Sequence, residues 1–376
     1  MLSGSSPLPG VVVLNVTDAC NLRCPMCYAW GDTGCYVAGD SPKKPKVLDL
    51  EIALRLIKEL APRQPAYSLF GGEPLSYRPL PQLLEAVKSA GSWVETPTNG
   101  TLLEKHAAFL VESGLDSVRV SLDGPRAVND RQRGPGSFDD AVAGLEALLS
   151  CRARAGSATP RIGVICTVTP ENQHTIAPLF LEALDLAELD AVEINMQLYI
   201  TPEMGDAYAR MLLGEHGIQS DCYWKGVVRE VASFDTIDVD SVSAQIASVR
   251  RRVAELGRAM TTMPRITTPR NLKAHFTAQW FEMEERVRFC PVPWSAVDIT
   301  AEADVAPCHA FYDLVVGNLK EQAFTEIWNG EAMRKVRRRV FADGLLSVCQ
   351  GCCALYATGA KRRPLWSSAE APSTST

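Results

Sequence analysis

The sequence lacks an export signal: its first ten residues, MLSGSSPLPG, carry no basic segment. The apolar run that follows, VVVLNV (11–16), is too short for a signal-peptide core or a spanning helix. An excess of positive charge is also missing. Lys and Arg number 38 against 44 Asp and Glu, a net charge of −6, so nothing draws the chain electrostatically to nucleic acid or an anionic membrane. No internal repeat stands out. These absences set aside exported, membrane-bound and nucleic-acid-binding classes and lead us to expect a cytoplasmic protein.

What is present is ordinary in bulk and unusual in one respect. With 376 residues, 46% hydrophobic and 22% charged, the chain can bury a large domain and a smaller one. It also holds 12 cysteines, which in a reducing compartment more often bind metal or do redox chemistry than form disulfides. One group, Cys20, Cys24 and Cys27, lies near the start. Another, Cys290, Cys308, Cys349, Cys352 and Cys353, lies near the end, with Cys35, Cys151, Cys166 and Cys222 between them.

Residues 11–200 alternate short apolar runs with amphipathic stretches. Strands are expected at 11–16, 66–70, 92–97, 117–122, 161–168 and 191–198. Helices are expected at 49–60, 79–90, 102–113, 137–153 and 173–185. Six strand–helix units imply an α/β fold with a parallel sheet. Periodicity alone leaves an open doubly wound sheet and an incomplete barrel as alternatives. In both, functional loops gather at the carboxyl ends of the strands. Residues 201–288 read as a helical connecting or substrate-side region without strand alternation. Residues 289–356 are short, turn-rich and cysteine-bearing, with one helix near 323–341, and 357–376 read as a disordered tail. The basic run MRKVRRRV (333–340) reads as a solvated helix face.

The segment CNLRCPMC spaces three thiolates so that each can take one iron of a cubane, leaving the fourth iron open to a small chelating molecule. A zinc site completed by a distant fourth ligand is the alternative. CNLRCPMCY after a first strand resembles the signature loop of radical S-adenosylmethionine (SAM) enzymes. Gly71-Gly72-Glu73-Pro74, Thr98-Asn99-Gly100 and Ser121-Leu122-Asp123-Gly124 follow in that family's order, each at a strand end. Over residues 11–200 the resemblance implies a partial (β/α)6 barrel. It also implies a [4Fe–4S] cluster on Cys20, Cys24 and Cys27, and SAM bound by Gly71, Gly72, Glu73, Asn99, Ser121, Asp123 and Arg133. Glycines there let backbone carbonyls approach the SAM amine, to which Glu73 adds charge complementarity. Ser121 and Asn99 would bond the carboxylate or ribose, Asp123 a ribose hydroxyl, and Arg133 the carboxylate. Met26 stands where the family often has an aromatic residue.

Cys290, Cys308, Cys349 and Cys352 suffice for a second, wholly cysteine-ligated site, and Cys353 could replace Cys352. A zinc ribbon is the alternative. The text around PCHAFYDLVVGNL resembles the SPASM/twitch extension of radical SAM enzymes. Having few cysteines, the chain fits the twitch form with a single auxiliary [4Fe–4S] cluster. His309 could tune that cluster or lie on the surface.

Cys166, in a strand whose alternate side chains face the barrel lumen, and Cys222 are candidate hydrogen-atom donors; the plainer reading is buried apolar cysteines. Glu193, Asn195 and Gln197 alternate along the sixth strand and are candidate substrate contacts. The expected activity is generation of a 5′-deoxyadenosyl radical that abstracts hydrogen from a small polar substrate, a sugar or aminocyclitol in natural-product biosynthesis. Epimerisation or dehydrogenation would follow. Maturation of a ribosomally made peptide and a non-catalytic zinc-binding interaction protein are the alternatives. Expected partners are the small-molecule substrate and an electron donor such as flavodoxin or ferredoxin, with neither nucleic acid nor membrane.

Overall fold

The computed structural model describes residues 4–38, 43–220, 222–285, 287–308, 311–352 and 355–356. Cys353, His309 and the tail at 357–376 lie outside the described residues. Strands β1 (Val11–Thr17), β2 (Ala66–Gly71), β3 (Val94–Thr98), β4 (Ser117–Ser121), β5 (Arg161–Val168) and β6 (Ala191–Met196) pair in sequence, all parallel. Helices α1 (Leu50–Leu60), α2 (Leu80–Ser89), α3 (Leu103–Glu112), α4 (Arg126–Arg133) and α5 (Ser137–Arg154) join them. The fold is therefore α/β, as the alternation implies. The fifth crossover differs: instead of a regular helix at 173–185 it has a short turn of helix, Ile176–Pro178, and a wider π-type turn, Leu179–Ala183. Pro178 has no N–H to continue an α ladder.

Strand period two explains which face meets the helices. Val12, Leu14 and Val16 of β1, Leu69 of β2, Val118 and Val120 of β4, and Ile162, Val164, Cys166 and Val168 of β5 are all buried. They share one core with Leu56, Leu83, Leu110 and Leu148 of the helices. The opposite parity, including Ser68, Glu95, Arg119, Ser121, Thr167, Glu193 and Asn195, forms the inner wall. Cys166 thus points away from the lumen expected for it, because the sequence period gives alternation but not its phase.

Two further departures concern the second half. The region 201–288 is helical, with helices at Pro202–His216, Val239–Glu255 and Pro269–Phe276, yet it also supplies a seventh parallel strand, β7 (Ala259–Met263), beside β6. Its AMTTM sequence has too little apolar alternation to stand out. The cysteine-bearing region returns to the start of the sheet. There β8 (Ala296–Ile299) pairs parallel with the outer edge of β1, and β9 (Asp304–Ala306) and β10 (Gly317–Asn318) extend the sheet antiparallel. The result is one 10-stranded sheet ordered β10-β9-β8-β1-β2-β3-β4-β5-β6-β7, a partial barrel continued into the extension. No helix among the described residues is long and apolar enough to cross a membrane.

The helix expected at 323–341 is two, Phe324–Trp328 and Glu331–Asp343, parted at Asn329-Gly330. The basic run is not the solvated face expected of it: only Lys335 is exposed, Arg334, Arg338 and Arg339 are half-buried, and Arg337 is fully buried beside Met333, Val336 and Val340. Its Nε donates to Pro293 O (2.7 Å), its guanidinium donates to Gly4 O (2.9 Å), and it lies 4.2 Å from the centroid of the Trp328 ring. Trp328 donates its indole N–H to Pro7 O (2.7 Å) and stacks on Phe324. These contacts fasten the extension to the amino terminus beside β1. Trp328→Ala is expected to cost about 3–5 kcal/mol, read as a lowered urea midpoint.

Candidate active site

Three strand ends and one loop build the site. After β1, residues Thr17 to Cys20 lead into the cysteine loop, which curls so that Cys27 N donates to Cys24 O (2.9 Å). The turn after β2 is zipped onto this lead-in: Gly72 N donates to Thr17 O (2.7 Å) and Glu73 N to Ala19 O (2.8 Å). Gly71 has φ +132°, and a Cβ on it would meet Thr17 O at 2.2 Å; one on Gly72 would meet Ala19 O at 2.2 Å. No side chain fits at either position, so these glycines are fixed by the cysteine loop's own backbone as well as by any ligand.

Glu73 is fully buried and does not line the cavity described below. One of its carboxylate oxygens accepts from Leu75 N (3.0 Å) and Thr98 Oγ1 (2.8 Å), the other from Asn99 N (2.8 Å). Burial raises its pKa above the usual carboxylate value, against the opposing pull of these bonds. Its oxygens are thus taken by protein donors, and it ties the β2 turn to the end of β3 rather than standing open to an amine. Asn99 continues the clamp, donating to Asn21 Oδ1 (2.9 Å) with Cys20 Sγ 3.9 Å away.

Asp123 is likewise buried. It accepts from Thr167 N (2.8 Å) and pairs with Arg133 Nε at 2.7 Å. The expected bond to a ribose hydroxyl is not offered, because the carboxylate lies beneath Arg133. Arg133 itself reaches the cavity. Burial disfavours its charge, but Asp123 and Cys24 outweigh that and hold it protonated. Burial pushes the Cys24 thiol up to about 11 and raises that of Cys20.

These pieces enclose a cavity of about 320 Å³. Of the residues expected from sequence, Cys20, Cys24, Cys27, Gly71, Gly72, Asn99, Ser121, Arg133, Asn195 and Gln197 all line it, with Met26, Tyr28, Phe70, Met196, Leu198 and Val227 supplying apolar wall. Three thiols, a crowded glycine cradle and one guanidinium on a common cavity fit a cluster-held SAM. Thr167, facing the same cavity from β5, was not anticipated; as the residue after Cys166 it takes the inward phase. Cys166 is buried with its thiol 3.7 Å from Asn172 Nδ2. Cys222 lies beside Cys35, packed with Tyr28, Tyr223 and Tyr312. Neither lines the cavity. Glu193 lies deeper in the barrel, bonded to Arg119 (2.8 Å).

In the second cysteine group, Cys308 and Cys290 lie near Cys349. Burial, followed by the nearby Cys308 and Cys290, pushes Cys349 far up. Cys352 N donates to Cys349 O (3.1 Å), closing the C-x2-C turn. Within that turn a Cβ on Gly351 would meet Tyr199 O at 1.9 Å. The turn therefore presses on the segment after β6 whose preceding residues, Gln197 and Leu198, wall the first cavity.

Residues 14–197 match the family model of the radical SAM superfamily, and residues 290–353 that of SPASM, an iron–sulfur cluster-binding domain. The chain belongs to the radical SAM superfamily. The two domains together imply SAM and two [4Fe–4S] clusters, one on each cysteine group. Similarity to Fe-coproporphyrin III synthase of Methanosarcina barkeri is 34% identity over 48% of this chain and 42% of that enzyme. With an AdoMet-dependent heme synthase of Oleidesulfovibrio alaskensis it is 25% over 94% of this chain and 84% of that enzyme. In fold, the chain is similar to Streptococcus suis SuiB bound to S-adenosylmethionine, with TM-score 0.61 and 16% identity over 93% of this chain and 73% of that one.

Anaerobically reconstituted protein is expected to hold about eight irons. Replacing Cys20, Cys24 and Cys27 with Ala, or separately Cys290, Cys308, Cys349 and Cys352, should leave about four in either case. Glu73→Gln turns an acceptor into a donor facing N–H groups. It should cost about 1–3 kcal/mol and weaken SAM binding, measured by equilibrium dialysis, while the iron content holds.

Proposed function

We propose that this chain is a radical SAM oxidoreductase that dehydrogenates, or forms a bond within, a small polar substrate, and that it does not act as an epimerase. The observation that carries this reading is the placement of the thiols: Cys166 packs in the core shared with the helices and Cys222 packs beside Cys35 and Tyr223, and neither lines the cavity. Epimerisation needs a hydrogen donor beside the substrate, and these two candidates do not supply one.

When bound, the cofactors supply one-electron chemistry: a 5′-deoxyadenosyl radical from SAM at the first cluster and electron transfer at the second. The protein's part is positional. Cys20, Cys24 and Cys27 would hold the first cluster, and Cys290, Cys308, Cys349 and Cys352 the second. Arg133, held by Asp123, gives the cavity a fixed cation suited to a carboxylate. Gly71 and Gly72 keep the backbone close, Ser121 and Asn99 offer hydrogen bonds, and Met26 offers an apolar surface for adenine. The apolar wall of Phe70, Met196, Leu198 and Val227 keeps water from the reacting carbon.

Beyond the cofactor residues the cavity is lined by the polar side chains of Ser121, Thr167, Asn195 and Gln197, which favours a polar substrate or a polar group of a larger one. A second reading, action on a tetrapyrrole, is favoured by the 25% identity to a heme synthase over 94% of this chain. There the macrocycle would enter by one peripheral group. A flavodoxin or ferredoxin is the proposed electron donor.

Incubation with SAM, dithionite and candidate substrates in deuterated water tests this. The expected product has lost a pair of hydrogen atoms and carries no solvent deuterium, and Cys166→Ala and Cys222→Ala retain turnover. Deuterium at the reacting carbon that vanishes with either variant would reverse the assignment.

A further inference from the structure

The inner wall carries a layered polar network that the cofactor motifs do not use. Ser68 Oγ donates to Glu95 Oε1 (3.1 Å), and Arg119 bridges Glu95 (2.5 Å) and Glu193 (2.8 Å). These residues sit on β2, β3, β4 and β6. Together they form a floor between the cofactor cavity and a smaller one of about 140 Å³ nearer the strands' amino ends, lined by Glu95, Arg119 and Glu193. Two carboxylates share one guanidinium, so the floor is formally negative.

Asn195 stands on this floor. Its Nδ2 donates to Glu193 Oε1 at 2.8 Å. A carboxylate only accepts, so this bond fixes the amide orientation and turns Oδ1 the other way. Oδ1 is buried and has no hydrogen-bond partner among the described residues; the residue is only 9% exposed and lines the cofactor cavity. Thr167, its register partner on β5, and Ser121 on β4 line the same cavity. A buried acceptor without a donor is costly unless something in the cavity completes it.

We propose that Asn195 Oδ1 is the substrate-recognition acceptor and that the group it takes is a protonated amine. The oxygen needs a donor, and the floor behind it is negative, so an ammonium satisfies both and a carboxylate neither. The guanidinium that does line the cofactor cavity, Arg133, is paired with Asp123 beside Cys24 and serves the cofactor end. This inference rests on the oxidoreductase reading above and names the substrate class for that site.

The test uses anaerobically reconstituted, SAM-loaded protein at neutral pH and three probes of one shape: cyclohexylamine, cyclohexanol and cyclohexanecarboxylate. Binding is read by saturation-transfer NMR and calorimetry. The amine should bind most tightly, the alcohol less, and the carboxylate roughly tenfold or more below the amine. Asn195→Leu should weaken the amine roughly tenfold or more and leave the carboxylate unchanged. Equal affinity for amine and carboxylate would overturn the proposal, as would an amine affinity indifferent to Asn195→Leu. The wild-type ranking decides by itself if that variant does not fold. Failure of wild-type protein to bind SAM would instead remove the oxidoreductase reading, so the two failures are distinguishable.

Discussion

Close backbone contact between two strand ends governs the site. The carbonyls of Thr17 and Ala19 accept from the turn that follows β2, at a separation that leaves no room for a Cβ on Gly71 or Gly72. This contact sets where the cysteine loop departs from β1, and Glu73 and Asn99 pass the constraint on to β3. The path of the cysteine loop is thereby set by backbone and buried polar groups. Such preorganisation lowers what binding must spend on ordering a loop.

Around that contact, charges are arranged in two separate layers. Asp123 and Arg133 face the cysteine loop, while Glu95, Arg119 and Glu193 lie deeper, with Asn195 between. Each guanidinium is desolvated, and each is kept charged by adjacent carboxylates. The deeper layer sets two carboxylates against one guanidinium and so leaves the floor behind Asn195 formally negative.

Much of this was legible in the sequence because it depends on local spacing. The cysteine triplet, the glycine turn, Asn99, Ser121 and Arg133 are tied to strand ends, and strand ends follow from apolar alternation. What was not legible depends on phase or on distant pairing. The period of β5 could not say whether Cys166 or Thr167 faces inward. Glu73 and Asp123 read as ligand contacts because sequence cannot show that Thr98, Asn99, Thr167 and Arg133 already occupy their oxygens. The packing of Cys222 beside Cys35 joins segments far apart in the chain. β7 was hidden because AMTTM packs only its last two residues into the interior.

The union of β1 with β8 carries a cost that appears only while the chain is being made. β1 leaves the ribosome well before residues 296–299, which complete its outer hydrogen-bonding edge. Until residues 296–299 emerge, that edge, rich in valine, stands uncovered and can template pairing with another chain. Nascent barrel would thus need shielding by a chaperone or slow compaction until the cysteine-rich end emerges, so truncated products should be sticky rather than inert.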